Sequence, residues 1–138
     1  MKALENTVMS FGKTQSSAPD VSLQKSMDGG QTWSAYSLGD TVTVPQGSSV
    51  KFKAADGVVN GAFSVEQDEA EGGDLSCVRL FTDYGALSAS GDMSLLIDSS
   101  ATGAQAQPYQ FAGFFKGCGE LVDASGLKLP DTANHSFY

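Results

Sequence analysis

The segment Ser26-Met27-Asp28-Gly29-Gly30-Gln31-Thr32-Trp33 carries the sharpest chemical pattern in the chain. In the spacing S-x-D-x-G-x-T-W, Asp28 can accept hydrogen bonds from backbone N–H groups of its own turn. Gly30 supplies the positive φ that the turn needs. Trp33 can then fold its ring over the base of the hairpin and bury a large apolar area. Ser26, Asp28, Gly30, Thr32 and Trp33 therefore predict a structural turn, and the spacing implies no catalysis. His135 is the sole histidine; Asn134 and Ser136 are its chain neighbours and do not make a spatial triad. Asp68, Glu69, Glu71 and Asp74 cluster in one acidic loop, but the D-x-D-x-D-G order of an EF-hand is missing. The loop is expected to be a solvated charge run, with no metal site assigned. Aromatic residues are the other source of chemistry: Trp33, Tyr36, Tyr84 and Tyr109 could form a sugar-stacking platform. No phosphate loop, dinucleotide fingerprint or zinc spacing is present, so no catalytic residue and no cofactor is assigned.

These residues must be positioned by short strands. Residues 2–11 read as a first strand, and Val21, Leu23 and Met27 share one parity of a second. Trp33 to Tyr36 returns after the Gly-Gly turn, and Thr41 to Val44 is a β-branched strand stopped by Pro45. Val50, Phe52 and Ala54 alternate with Lys51 and Lys53, apolar inside and lysine outside. Phe63 to Val65, Ser76 to Tyr84, Ala86 to Ser90 and Met93 to Ile97 continue the pattern. Short strands with turns every eight to twelve residues predict an antiparallel, Ig-like β-sandwich, with Val50, Phe52, Trp33, Met27 and Leu95 in its core. After a small-residue linker, Pro108 is expected to open a short helix carrying Tyr109, Phe111, Phe114 and Phe115. An extended segment rich in leucine then runs to Pro130.

Composition narrows the function. The 138 residues suffice for one modest core, and a net charge of −8 with a pI near 4.3 argues against nucleic acid or an anionic membrane as partner. Apolar runs are too short to span a bilayer. The N-terminus shows no secretory leader pattern. Cys77 and Cys118 stand far from any C-x-x-C spacing, and they could form one disulfide or remain two buried thiols.

The segment from Ser26 to Trp33 resembles the Asp box of sialidases and other β-propellers, but a propeller needs several copies of the box and this chain has one. A broader resemblance covers nearly the whole chain. Ala3 to Asn6 (ALEN), Leu23 to Trp33, Val44 to Ala54 (VPQGSSVKFKA), Ser90 to Leu96 (SGDMSLL) and Phe114 to Pro130 (FFKGCGELVDASGLKLP) look like surface proteins of gut Bacteroidetes with BspA-like leucine-rich repeats. In that family a β-rich module precedes the repeats. The resemblance implies that Phe115, Cys118, Leu121, Leu127 and Leu129 take core positions of a first repeat, with Cys118 as packing. Similar modules are familiar from structural proteins of phages that infect such bacteria, and a virion protein needs no leader. The chain is thus expected to be either an excised piece or a variant retaining only the first repeat.

Together these readings predict a β-sandwich module at 1–107 and a leucine-rich-repeat-like helix and capping segment at 108–138. The expected function is non-enzymatic: a module on a cell or virion surface that presents or anchors a larger assembly, with protein or glycan as partner. The edge near Leu127 and Leu129 would face a neighbouring repeat, because an unfinished repeat leaves apolar surface open. The alternatives are a carbohydrate-binding sandwich that uses exposed aromatics, and a capsid- or tail-associated virion component.

Overall fold

Alternation of side chains along Thr7 to Lys13 decides the centre of the molecule. In a computed structural model, which describes residues 1–65, 76–100 and 108–130, Thr7, Met9 and Phe11 are buried while Val8 and Ser10 are half-buried between them. This segment is β2. The first expected strand is in fact two, β1 (Lys2–Ala3) and β2 (Thr7–Lys13). Between them the N–H groups of Leu4 and Glu5 both point at the Ala86 carbonyl, and Asn6 Oδ1 accepts from Gln46 N, so the chain bends away from any ladder.

The other strands are β3 (Leu23–Ser26), β4 (Ser34–Tyr36), β5 (Val42–Val44), β6 (Lys51–Ala54), β7 (Val78–Tyr84), β8 (Leu87–Asp92) and β9 (Leu121–Lys128). They form three small sheets in the orders β5-β2-β7, β4-β3-β6 and β1-β8-β9. The first two are antiparallel throughout, with Phe11 opposite Leu80 and Leu23 between Tyr36 and Ala54. In the third, β1 runs antiparallel to β8 and β9 runs parallel to it. The fold is mainly β.

All three sheets feed one apolar cluster. Phe11 of β2 meets Phe52 of β6 edge-on at 4.7 Å and stacks on Phe114 at 5.2 Å. Phe63, Phe111 and Phe114 close the cluster at centroid distances of 5.1 to 5.7 Å, the range in which aromatic pairs add to plain area burial. Two polar side chains tie segments through the interior. Asn60 Oδ1 accepts from Ser22 N, and its Nδ2 donates to the Ser22 and Leu96 carbonyls. The Tyr36 hydroxyl accepts from Phe11 N at 2.8 Å and donates to the Asp40 carbonyl at 2.6 Å. Buried polar groups satisfied in this way fix which segment lies against which.

Further expectations are corrected. Residues 108–117 form no helix. They make consecutive turns in which Phe114 N bonds Phe111 O, Lys116 N bonds Gly113 O and Cys118 N bonds Phe115 O. Positive φ at Tyr109 (60°), Gly113 (72°) and Gly117 (79°) breaks the helical run at each end and in the middle. Met93 to Leu96 is a single turn of 3-10 helix, because the Asp92 carboxylate caps it by accepting from Ser94 N at 2.9 Å. Phe63 to Val65 contributes only one bridge, Ser64 to Cys77. Of the expected core, Val50 is fully buried and Phe52, Trp33 and Leu95 are half-buried, but Met27 is 47% exposed because it sits on the turn itself.

Candidate functional site

The hairpin between β3 and β4 folds as its residues dictate. Ser26, buried at the end of β3, accepts from Gly30 N at 2.9 Å and donates to Asp28 Oδ1 at 2.7 Å. Asp28 Oδ1 also accepts from Thr32 N at 2.9 Å, and the Thr32 hydroxyl bonds Oδ2. The Thr32 hydroxyl first, then the Thr32 N–H and the Ser26 hydroxyl, hold the Asp28 carboxyl down to a pKa of about 2. Gly29 and Gly30 take φ of 77° and 94°, which lets the loop close. Trp33 Nε1 donates to the Gly30 carbonyl at 3.1 Å, and the Lys53 ammonium lies 4.6 Å above the indole. The Ser26, Asp28 and Thr32 side-chain oxygens and the Trp33 indole N–H all bond within the turn, which they hold closed.

The aromatic candidates do not share one platform. Tyr36 is buried and pins β2 to the 37–40 turn. Trp33 is half-buried beneath Lys53, and Tyr84 is 56% exposed at the end of β7. Tyr109 is half-buried in the aromatic turns, its carbonyl accepting from the Ser64 hydroxyl.

A groove that the sequence reading passed over lies where β2 and β7 meet β3 and β4. It has a volume of about 900 Å³ and is lined by Ser10, Gly12, Gln24, Tyr36, Leu38 and Phe81, with Lys13 and Asp20 paired at its rim. The Phe81 ring lies against Gly12 of β2, where a Cβ would stand at ordinary contact distance, 3.4 Å from the ring. The Arg79 guanidinium lies 4.8 Å over the same ring. Gln24 Oε1 is buried yet accepts no hydrogen bond among the described residues, an arrangement that costs about 1–3 kcal/mol. Glycine within a strand already signals a close approach of a neighbour at that point. The signal for Gln24 was only a polar residue midway along a strand, which is too common to stand out.

The C-terminal strand is the most open element. All residues from Val122 to Gly126 are exposed, Val122 by 60%, and among the described residues β9 pairs on one side only. Leu121 and Leu127 pack against the core with Phe115 and Cys118, whereas Leu129 is 51% exposed. Asp123 Oδ1 accepts from both the N–H and the hydroxyl of Ser125, which puckers the strand where its register against β8 shifts. Cys77 and Cys118 are free thiols, and burial raises the pKa of both. The Cys118 thiol donates to the Leu80 carbonyl at 2.9 Å. Both are protonated packing groups at neutral pH, because burial outweighs the lowering pull of Arg79 on both thiols and of Lys116 on Cys77.

Among the described residues no group of three or more His, Cys, Asp or Glu side chains is placed to hold a metal ion, and no helix is long and apolar enough to cross a membrane. His135 with Asn134 and Ser136, and the acidic run Asp68, Glu69, Glu71 and Asp74, lie outside the described residues. Comparison with known proteins returns no match to a family model, a curated protein or a solved structure. The likeness to BspA-like surface proteins therefore stands on its sequence segments alone.

Proposed function

We propose that the chain is a non-enzymatic interaction module that presents or anchors a larger assembly on a cell or virion surface. In this reading the two antiparallel sheets are the facing layers of an Ig-like sandwich. Contact of Phe11 on one sheet with Phe52 and Tyr36 on the other supports that pairing of inner faces. The observation that carries the functional reading is β9. It extends the β1-β8 sheet in parallel, leaves its outer side unpaired among the described residues, and exposes Val122 and Leu129 beside that edge. An exposed strand edge flanked by apolar side chains is a template for another strand.

Sedimentation over rising protein concentration tests this reading, taking a second copy of the chain as the partner. The expected result is reversible association that the double substitution Val122→Lys, Leu129→Lys abolishes, because two ammonium groups would have to be desolvated at the contact. A chain that stays monomeric at every concentration, with freely exchanging β9 amides, would contradict it.

A further inference from the structure

We infer that Asn60-Gly61 is a deamidation site that the fold seals while its loop is shut and that cannot be resealed once used, independent of the β9 edge. An asparagine followed by glycine is chemically labile, because no Cβ hinders the next amide nitrogen from reaching the side chain. In the reaction Gly61 N attacks Asn60 Cγ and the Cγ–Nδ2 bond breaks. The amide proton of Gly61 leaves with that nitrogen as ammonia, and a five-membered succinimide remains. Water then opens the ring at either carbonyl, giving aspartate or isoaspartate at 60. Solvent is the only co-reactant.

Two observations tie this chemistry to the fold. First, the fold does not require glycine at 61. Its φ lies outside the left-handed region, and a Cβ there would meet nothing within 4 Å. Second, the two reacting groups are kept apart by burial. Gly61 is exposed, whereas Asn60 is only 4% exposed. Asn60 Oδ1 accepts from Ser22 N at 2.9 Å, and Nδ2 donates to the carbonyls of Ser22 at 3.0 Å and Leu96 at 2.8 Å. Held against two distant segments, Cγ is not free to swing onto Gly61 N. The loop itself is lightly tied: Asn60 N bonds Ile97 O at 2.8 Å, Val59 bridges Asp98, and the Val59 side chain is left 67% exposed. Such a loop opens at less than the free energy of global unfolding. After reaction an oxygen stands where Nδ2 donated, facing two carbonyl oxygens, so the loop cannot close as before. The result is a one-way release of the link between the start of β3 and the 3-10 turn.

Incubation at mildly alkaline pH, with peptide mass spectrometry across residues 60 and 61, tests the site. The folded chain is expected to convert at least about a hundredfold more slowly than the urea-unfolded chain, and to speed up in urea below the global transition. Gly61→Ala should keep the native near-ultraviolet circular dichroism and slow conversion at least about tenfold in both states. Asn60→Asp, which matches one product, should raise the unfolding constant at least about a hundredfold or fail to fold. Equal rates in the folded and unfolded chains overturn the proposal, as does an unfolded chain that stays unmodified at 60. So do a well-folded Gly61→Ala that converts as fast as the parent, or an Asn60→Asp as stable as the parent.

Discussion

Residues 26–33 reverse the chain in water with a serine, an aspartate and a threonine; residues 108–117 reverse it inside the molecule with phenylalanines. In the first segment, bonds span four residues or fewer, and every partner of the Asp28 carboxylate lies within its own loop. In the second, the turns are held by distant groups. Phe114 stacks on Phe11, its carbonyl accepts from Leu80 N at 2.8 Å, and the Gln110 carbonyl accepts from Phe63 N at 2.8 Å. Gln110 itself is fully buried and reaches the Gly61 carbonyl. One turn is thus a local solution that would form on almost any sheet, while the other exists only because a particular cavity between the sheets must be filled. The difference teaches that similar backbone shapes can be specified at opposite ranges in sequence.

Substitutions should separate the two. Phe114→Ala removes the ring at the centre of four aromatic contacts and leaves a cavity that the surrounding strands cannot close. A loss of about 3–5 kcal/mol in denaturant unfolding is expected. If it cost under about 1 kcal/mol, in the range of ordinary surface substitutions, the aromatic turns would not be core at all. Ser26→Ala acts locally. It strands the Gly30 N–H and removes one donor from Asp28, for an expected loss of about 1–2 kcal/mol. Its effect should be confined to the hairpin, read as faster amide exchange at Gly30 and Thr32 with β7 and β8 unchanged. Exchange that rises equally across all three sheets would show that the hairpin is not an independent local unit.

That contrast also explains what could be read from the sequence. The strands at 23–26, 34–36, 42–44 and 51–54 and the Asp28 turn follow from alternation, glycine and capping chemistry within a few residues. The mainly β character follows with them. The helix expected after Pro108 does not form. Its aromatic spacing is compatible with a helix, and what overrides it is a demand from Phe11, Phe63 and Leu80, far away in sequence, met by residues at positive φ. Tyr36 is misleading for a related reason: an aromatic beside an exposed-looking turn is drawn inward by the Phe11 N–H of a distant strand, with the Asp40 carbonyl of its own turn taking the hydroxyl proton. The groove was illegible because Gly12, Gln24 and Phe81 line it from three different strands, and no spacing along the chain encodes that meeting.

The smallest expected effect tests whether the hairpin is as self-contained as its bonds suggest. Asp28 has its pKa lowered to about 2 from an ordinary 3.8, chiefly by the Thr32 hydroxyl, so the folded turn prefers the charged carboxylate. The sign follows: the contribution is fully present above the ordinary carboxylate value and is lost as pH falls from about 4 through about 2. Because the group is open to solvent, the change in global stability should be slight and the readout must be local. Trp33 is the only tryptophan, and its indole N–H is bonded to Gly30 within the same loop, so its emission reports the turn directly. Acid titration should move that emission with a midpoint near 2, before the β-sheet signal in circular dichroism is lost. Asp28→Asn, which keeps the carbonyl acceptor for the Thr32 N–H but cannot titrate, should flatten the step. A step of unchanged midpoint and size in Asp28→Asn would place the titrating group elsewhere, and the hairpin would then depend on the rest of the molecule much as the aromatic turns do.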